Sequence, residues 1–308
     1  MLATVLAVAG VRGTIGATVN AAEPWGLTLD NVPGAAFHAV TDGTAWLSVG
    51  DNPGIRLMPG DMVLLPAGTA HVLASGPGVS TQSWDRLATE QSLPPGGELT
   101  LGSGTVQTRI LCASYYQDPA LTLPLLSLLP DLLHIPASGA NPGLEATLRL
   151  LAHELGQHQP GADAVLNRVV DILLVQMLRI WLTAGADDGP RCWLSALTDP
   201  VAGPALAALH AQPGRSWTVD SLAASVGVSS ATLTRRFTAR VGEPPAAYLT
   251  RWRMDLAAQR LRDTDETAGT IARSLGYTSE YAFSRAFARE RGIPPGRYRS
   301  EARPAPAR

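Results

Sequence analysis

The C-terminal third of the chain carries one unit twice, and that duplication limits the fold more than any other feature. The first copy opens at Leu222 (LAASVGVSSATLTRRFTARVGEPPAAY) and the second at Ile271 (IARSLGYTSEYAFSRAFARERGIPPGRY). Ahead of a turn the offset is 49 residues, pairing Leu222 with Ile271, Ala223 with Ala272, Val226 with Leu275 and Gly227 with Gly276. After one inserted residue the offset is 50, pairing Ser229 with Ser279, Leu233 with Phe283, Arg235 with Arg285, Phe237 with Phe287 and Tyr248 with Tyr298.

Each repeated residue type has a mechanical reason. A small alanine lets the first helix of the unit approach the second. Gly227 and Gly276 supply the backbone conformation that ends the first helix. Ser229 and Ser279 (or Thr278) cap the second. Leu233 with Phe237, and Phe283 with Phe287, stand four residues apart and share one helix face, which predicts a core. The opposite face is left free, with Ala231, Thr234 and Arg235 in one unit and Glu280, Tyr281, Ser284 and Arg285 in the other. Arginine on such a face can hydrogen-bond guanine in a major groove or hold a phosphate. Between the units a proline-started helix runs from Pro245 to about Arg262, with Leu249, Trp252, Leu256 and Leu261 on its apolar face. At 1.5 Å per residue it spans roughly 27 Å, suited to placing two helices in successive major grooves about 34 Å apart.

With these residues in place, 203–299 resembles the DNA-binding domain of the AraC family of transcription regulators, and the second unit is the closer match to the family signature. The resemblance implies recognition helices over Ser229–Arg240 and Ser279–Arg289. It implies a DNA-facing set of Ser230, Ala231, Thr234, Arg235 and Arg236, then Glu280, Tyr281, Ser284 and Arg285. Ala231 is small where a larger side chain often sits. The implied partners are double-stranded promoter DNA, a small-molecule effector and, for an activator, RNA polymerase. Activation is the commoner mode of the family.

Charge agrees with a DNA-binding C-terminus. Every one of the 24 basic residues is arginine. Residues 1–198 hold 8 Arg against 16 Asp or Glu, a net of −8, whereas residues 199–308 hold 16 against 10, a net of +6. Only the second part is suited to a polyanion. Cys112 and Cys192 give neither a disulfide framework nor zinc-finger spacing, which fits a reducing cytoplasm. The apolar start (MLATVLAVAGVRG) lacks a basic segment and a clear cleavage site, so a signal peptide is not expected. Arg168, Asp171, Gln176 and Arg179 interrupt the apolar run Ala164–Leu182, so no membrane span is expected there.

Residues 1–136 contain short apolar runs (Ala36–Val40, Thr44–Val49, Ile55–Met58, Met62–Leu65) parted by Gly, Pro, Asn and Asp, which predicts an all-β barrel or sandwich. The run Gly60–His71 has the form G-x5-P-x-G-x2-H and resembles the second cupin motif, a buried strand between turns with a histidine facing inward. Together with PWGL at 24–27, it resembles the cupin-type sensor domains attached to some AraC-family regulators. The fold class expected is therefore α+β multidomain: a cupin-like sensor over 1–136, a helical pair over 137–183, a linker over 184–202, two helix-turn-helix units over 203–300 and a tail over 301–308. Leu144, Leu148, Leu151 and Leu155 draw one stripe on the first helix of the pair. The second is apolar over most of its surface and needs cover, from the barrel or from a second subunit; a homodimer is the favoured reading.

A barrel interior is by default a ligand pocket, and Trp25, His38, Trp46 and His71 are the expected lining. The competing class is a metal-dependent cupin enzyme. The first motif has no H-x-H and no nearby glutamate, which leaves His38, His71 and Cys112 as a minor candidate for a zinc site. No cofactor and no catalysis are expected. His153-Glu-Leu-Gly-Gln-His158 spaces its histidines by five, whereas the zinc-protease helix needs four, so both read as surface residues.

Overall fold

The computed structural model describes residues 10–30, 32–50, 52–94, 96–117, 126–137, 141–155, 161–183 and 194–302. His158, most of the linker and the chain past 302 lie outside the described residues. The chain divides into two compact units, one within 11–181 and the other within 182–308.

The first unit is two facing sheets. Strands β1 (Val11–Ala21), β3 (Ala35–Asp42), β6 (Met62–Leu65), β9 (Gly97–Leu101), β10 (Thr108–Gln117) and β11 (Leu133–Ile135) form one, in the order β11-β6-β3-β10-β1-β9. Strands β2 (Gly26–Leu29), β4 (Ala45–Val49), β5 (Ile55–Leu57), β7 (His71–Ala74) and β8 (Gln82–Ser83) form the other, in the order β5-β4-β7-β2-β8. Most pairs are antiparallel, with β1–β9 and β2–β8 parallel. The core lies between the sheets, where Val19, Val40, Val63 and Ile110 meet Leu27, Leu47, Leu57 and Leu73. A short helix, α1 (Trp84–Glu90), leads from β8 towards β9.

Two helices belong to this same unit, α2 (Pro142–Leu155) and α3 (Ala162–Thr183). Leu144, Leu148 and Leu151 are buried as their spacing predicts, and His153 is exposed. Helix α3 lies on the outer face of β1 and β10. Its Asp171 accepts from Gly13 N at 2.8 Å, its Asn167 from Ile15 N at 3.4 Å, and Tyr115 Oη donates to Val170 O at 2.7 Å. Strand β9 pairs with β1 only from Ala17 onward, so these side chains cap donors that an edge strand would otherwise leave open. Strand β3 is buried on both faces along Ala35–Val40, and its Phe37 packs edge-on against Tyr115, the residue that bonds to α3. No described helix is long and apolar enough to cross a membrane.

The second unit is helical: α4 (Ala202–Ala211), α5 (Val219–Ser225), α6 (Ser230–Val241), α7 (Pro245–Asp263), α8 (Ala268–Ser274), α9 (Glu280–Arg291) and α10 (Pro295–Ala302). Gly227 and Gly276 take φ of 72° and 81° in the two turns, where a side chain would be strained. Ser229 accepts from Thr232 N and Ser279 from Ala282 N, capping α6 and α9. Leu233, Phe237, Phe283 and Phe287 are fully buried. Around Phe283 and Phe287 close Ile271, Leu275, Leu261 and Tyr298. Phe237 packs edge-on to Tyr248 at 5.8 Å between centroids, as Phe287 does to Tyr298 at 5.4 Å, and the first copy adds His210 stacked on Trp252 at 4.1 Å.

Candidate nucleic-acid interface and barrel cavity

Core side chains fix which face of each recognition helix is free. With Leu233 and Phe237 inward, α6 exposes Ala231, Thr234 and Arg235. With Phe283 and Phe287 inward, α9 exposes Glu280, Tyr281 and Arg285, while Ser284 is half-buried. Tyr281 is 72% exposed, and the Arg285 guanidinium stands 5.8 Å from its ring centroid. That distance lies at the limit of cation–π range.

Two residues of the expected set have protein partners. Ser230 Oγ bonds to Asp220 on α5. Arg236 donates to Asp199 Oδ2 at 3.0 Å, and Arg240 approaches the same oxygen at 3.4 Å. Asp199 is 1% exposed at its side chain, and its other oxygen caps α4 by accepting from Val201 N and Ala202 N, each at 2.8 Å. These contacts hold its carboxyl below the usual range against the opposing effect of burial. Glu280, the counterpart of Ser230, lies over α8, where a methyl added at Gly269 would stand 2.7 Å from Glu280 Oε2. Both units therefore set a carboxylate between the first and second helix, from α5 in one copy and from α9 in the other.

In the barrel unit, His38, His71 and Cys112 do come together. His38 Nδ1 lies 3.1 Å from Cys112 Sγ, His38 Nε2 lies 2.8 Å from His71 Nε2, and His71 Nδ1 lies 2.7 Å from Thr69 O. Because a carbonyl only accepts, His71 Nδ1 carries the proton. Burial pushes both histidines down, with His71 adding to the effect on His38, and pushes the Cys112 thiol up to about 12. All three are thus neutral, and one arrangement satisfies them: Cys112 S–H donates to His38, His38 Nε2–H to His71, and His71 Nδ1–H to Thr69. His38 addresses its two neighbours through opposite ring nitrogens, so the trio does not converge on one ion. Among the described residues no group of three His, Cys, Asp or Glu is placed to hold a metal.

A cavity of about 320 Å³ opens beside this chain. Of the four expected lining residues only His38 borders it. His71 stands behind His38, Trp25 is sunk in the core with Leu27 and Leu29, and Trp46 sits on the other sheet, paired with Arg56 and Ala74. The wall comes instead from Leu29, Val32, Pro33, Ala36 and Trp84, with Asp30 and Asp85 exposed at its rim. A register shift in β1 between Ile15 and Ala17 places Gly16 at the wall, where a Cβ would stand 3.2 Å from Cys112 O. Sequence reasoning missed α1. Its available signal was Ser83 ahead of Trp84-Asp85-Arg86, a helix start inside a run of strands.

A cupin sandwich joined to a duplicated helix-turn-helix unit defines a class of one-chain DNA-binding regulators, and comparison with known proteins agrees. Residues 1–183 match the Cupin family and residues 222–301 a helix-turn-helix domain. An AraC-like transcription regulator of Streptomyces lividans is 35% identical over 300 residues, covering 97% of this chain and 97% of its own. The transcriptional regulator AlkR of Acinetobacter baylyi is 34% identical, covering 86% of this chain and 87% of its own. The solved DNA-binding domain of AdpA, in complex with a target DNA, is 28% identical with a TM-score of 0.33, covering 35% of this chain and all of that one. The chain belongs to the AraC-like transcription regulators. It is a DNA-binding regulator, not an enzyme.

Proposed function

We propose that the two recognition helices read one face of promoter DNA, with α9 supplying most of the base contacts and α6 most of the anchoring. One observation carries this reading: α9 presents Tyr281 and Arg285 outward, whereas α6 presents Ala231 and Thr234 beside Arg235, and the other two of its arginines are bound to Asp199. Helix α7, at 19 residues, spans roughly 28 Å, which suits successive major grooves. A small molecule in the barrel cavity sets how the units engage the promoter. Arg235, Tyr281, Ser284 and Arg285 face DNA in this reading, while Ser230, Arg236 and Glu280 position the helices.

The working form is a cytoplasmic homodimer that contacts RNA polymerase where it activates. Val165 and Ile172, seven residues apart on one face of α3, are exposed apolar side chains suited to a subunit interface. Gel-shift binding of the full chain to its own upstream DNA, with random competitor at two salt concentrations, tests the reading. Binding that survives competitor and responds to added small molecules is expected. Binding indifferent to sequence and lost with salt would sink it.

A further inference from the structure

We propose that the barrel cavity takes a small apolar ligand carrying one cationic amino group, its apolar body inside and its charge at the rim. This rests on the effector reading above and names the chemistry of the effector. Three observations lead to it.

First, the wall is apolar. Leu29, Val32, Pro33, Ala36 and Trp84 surround a volume of about 320 Å³, enough for a single ring with a short chain and at the small end of ligand pockets.

Second, the polar floor is already satisfied. Cys112 donates to His38, His38 to His71, and His71 to the Thr69 carbonyl. That chain leaves neither ring nitrogen of His38 open to a ligand. A sugar or polyol would bring hydroxyls to a floor that cannot bond them, and each buried hydroxyl without a partner weakens binding. Ser114 adds one hydroxyl to the lining. The deep end therefore selects an apolar group.

Third, the charge at the rim has one sign. Asp30 and Asp85 both border the cavity and are exposed, neither forms an ion pair among the described residues, and no arginine lines the wall. The chain has no lysine, and residues 1–198 carry the net of −8 noted above. A carboxylate or phosphate on the ligand would enter a field that repels it. An ammonium finds two carboxylates and the Trp84 ring, beside Asp85, as a face for the cation.

The test uses the full chain and three probes with one apolar body and different charge: 2-phenylethylamine, 2-phenylethanol and 3-phenylpropionate, titrated calorimetrically at pH 7. The amine is expected to bind roughly fivefold more tightly than the alcohol, and the carboxylate most weakly. The double variant Asp30→Asn with Asp85→Asn, at two exposed positions, should bring amine and alcohol together. Ala36→Leu, which fills the wall, should remove binding of all three. Alcohol or carboxylate binding as tightly as the amine would overturn the ligand class and leave the effector cavity standing. Amine binding that persists in Ala36→Leu would place the ligand elsewhere and overturn the proposal. No binding by any probe at millimolar concentration would overturn both the ligand class and the effector reading beneath it.

Discussion

The two helix-turn-helix units share a frame and differ in what they turn outward. Turn glycine, serine cap and buried pair recur at matching positions. The outward faces do not match. Ala231 stands where the second copy has Tyr281, and Thr234 where it has Ser284. Arg236 stands where the second copy has Ala286, a buried packing position. The first copy keeps that arginine because Asp199, ahead of α4, meets it. The second copy has no such acid at the matching place and packs a methyl instead. Packing and capping hold a duplicated fold in step, while surface positions answer to whatever each copy touches. Both recognition helices are tied to their own domain, the second by the buried pair of Arg291 with Asp255. The difference lies in the outward flank, where Asp199 takes up arginines of the first copy and the second leaves Tyr281 and Arg285 exposed, which argues for a division of labour.

Acidification gives the largest expected separation of the two. Burial pushes His210, in the core of the first copy, from 6.5 down to about 3. The second core, around Phe283 and Phe287, contains no histidine. Below about pH 6.5 the unfolded chain takes up a proton that the folded first unit refuses, so stability falls as the pH drops through that window. The loss at pH 4.5 should be about 2–3 kcal/mol. Amide exchange should quicken over Val219–Val241 well before Ala268–Arg291; equal quickening in both would erase the contrast.

Next in size is the loss of a reading arginine. Arg285→Ala should cost roughly 1–3 kcal/mol on the specific site and much less on random DNA. Arg235→Ala, at the matching position, should weaken both DNAs alike and lower the salt slope by about one. Reversed behaviour would assign the reading to the first unit.

Asp199→Asn should have the smallest effect. The amide oxygen still caps α4, but the buried carboxylate no longer meets Arg236 and Arg240 and an amide NH2 faces them instead. The change in stability should be about 1–2 kcal/mol, tempered because both arginines are partly exposed. Arg236, released from its carboxylate, should steepen the salt dependence of nonspecific binding by up to about one. An unchanged slope would mean that it does not reach phosphate once released.

The helical repeat was legible because its signals are local: a glycine before a serine, apolar residues four apart, a proline opening α7. The sheet-rich unit was legible as short apolar runs between turn residues. The meeting of His38, His71 and Cys112 was legible as a set, since β3 and β10 bring His38 opposite Cys112. Their bonding order was not, because it depends on a carbonyl at Thr69. The Asp199 pairing joins residues 37 apart, and no spacing rule announces it. The mismatch of Arg236 with Ala286 was the one hint. Trp25 and Trp46 drew attention as aromatic residues in a barrel, yet packing took one into the core and the other to the far sheet, while Trp84 reached the cavity from a helix not foreseen.

The side chains of Asp171 and Asn167 on the rim of β1 bear on how this chain can be cut. A fragment ending near residue 136 would look like a complete sandwich by its strands alone. It would nonetheless lose the partners of Gly13 and Ile15 and leave Tyr115 of β10 without the Val170 carbonyl. Such a piece carries an adhesive border, ready to recruit a neighbouring strand and grow into aggregates. Truncation for crystallography or ligand screening belongs after α3, where the border stays sealed.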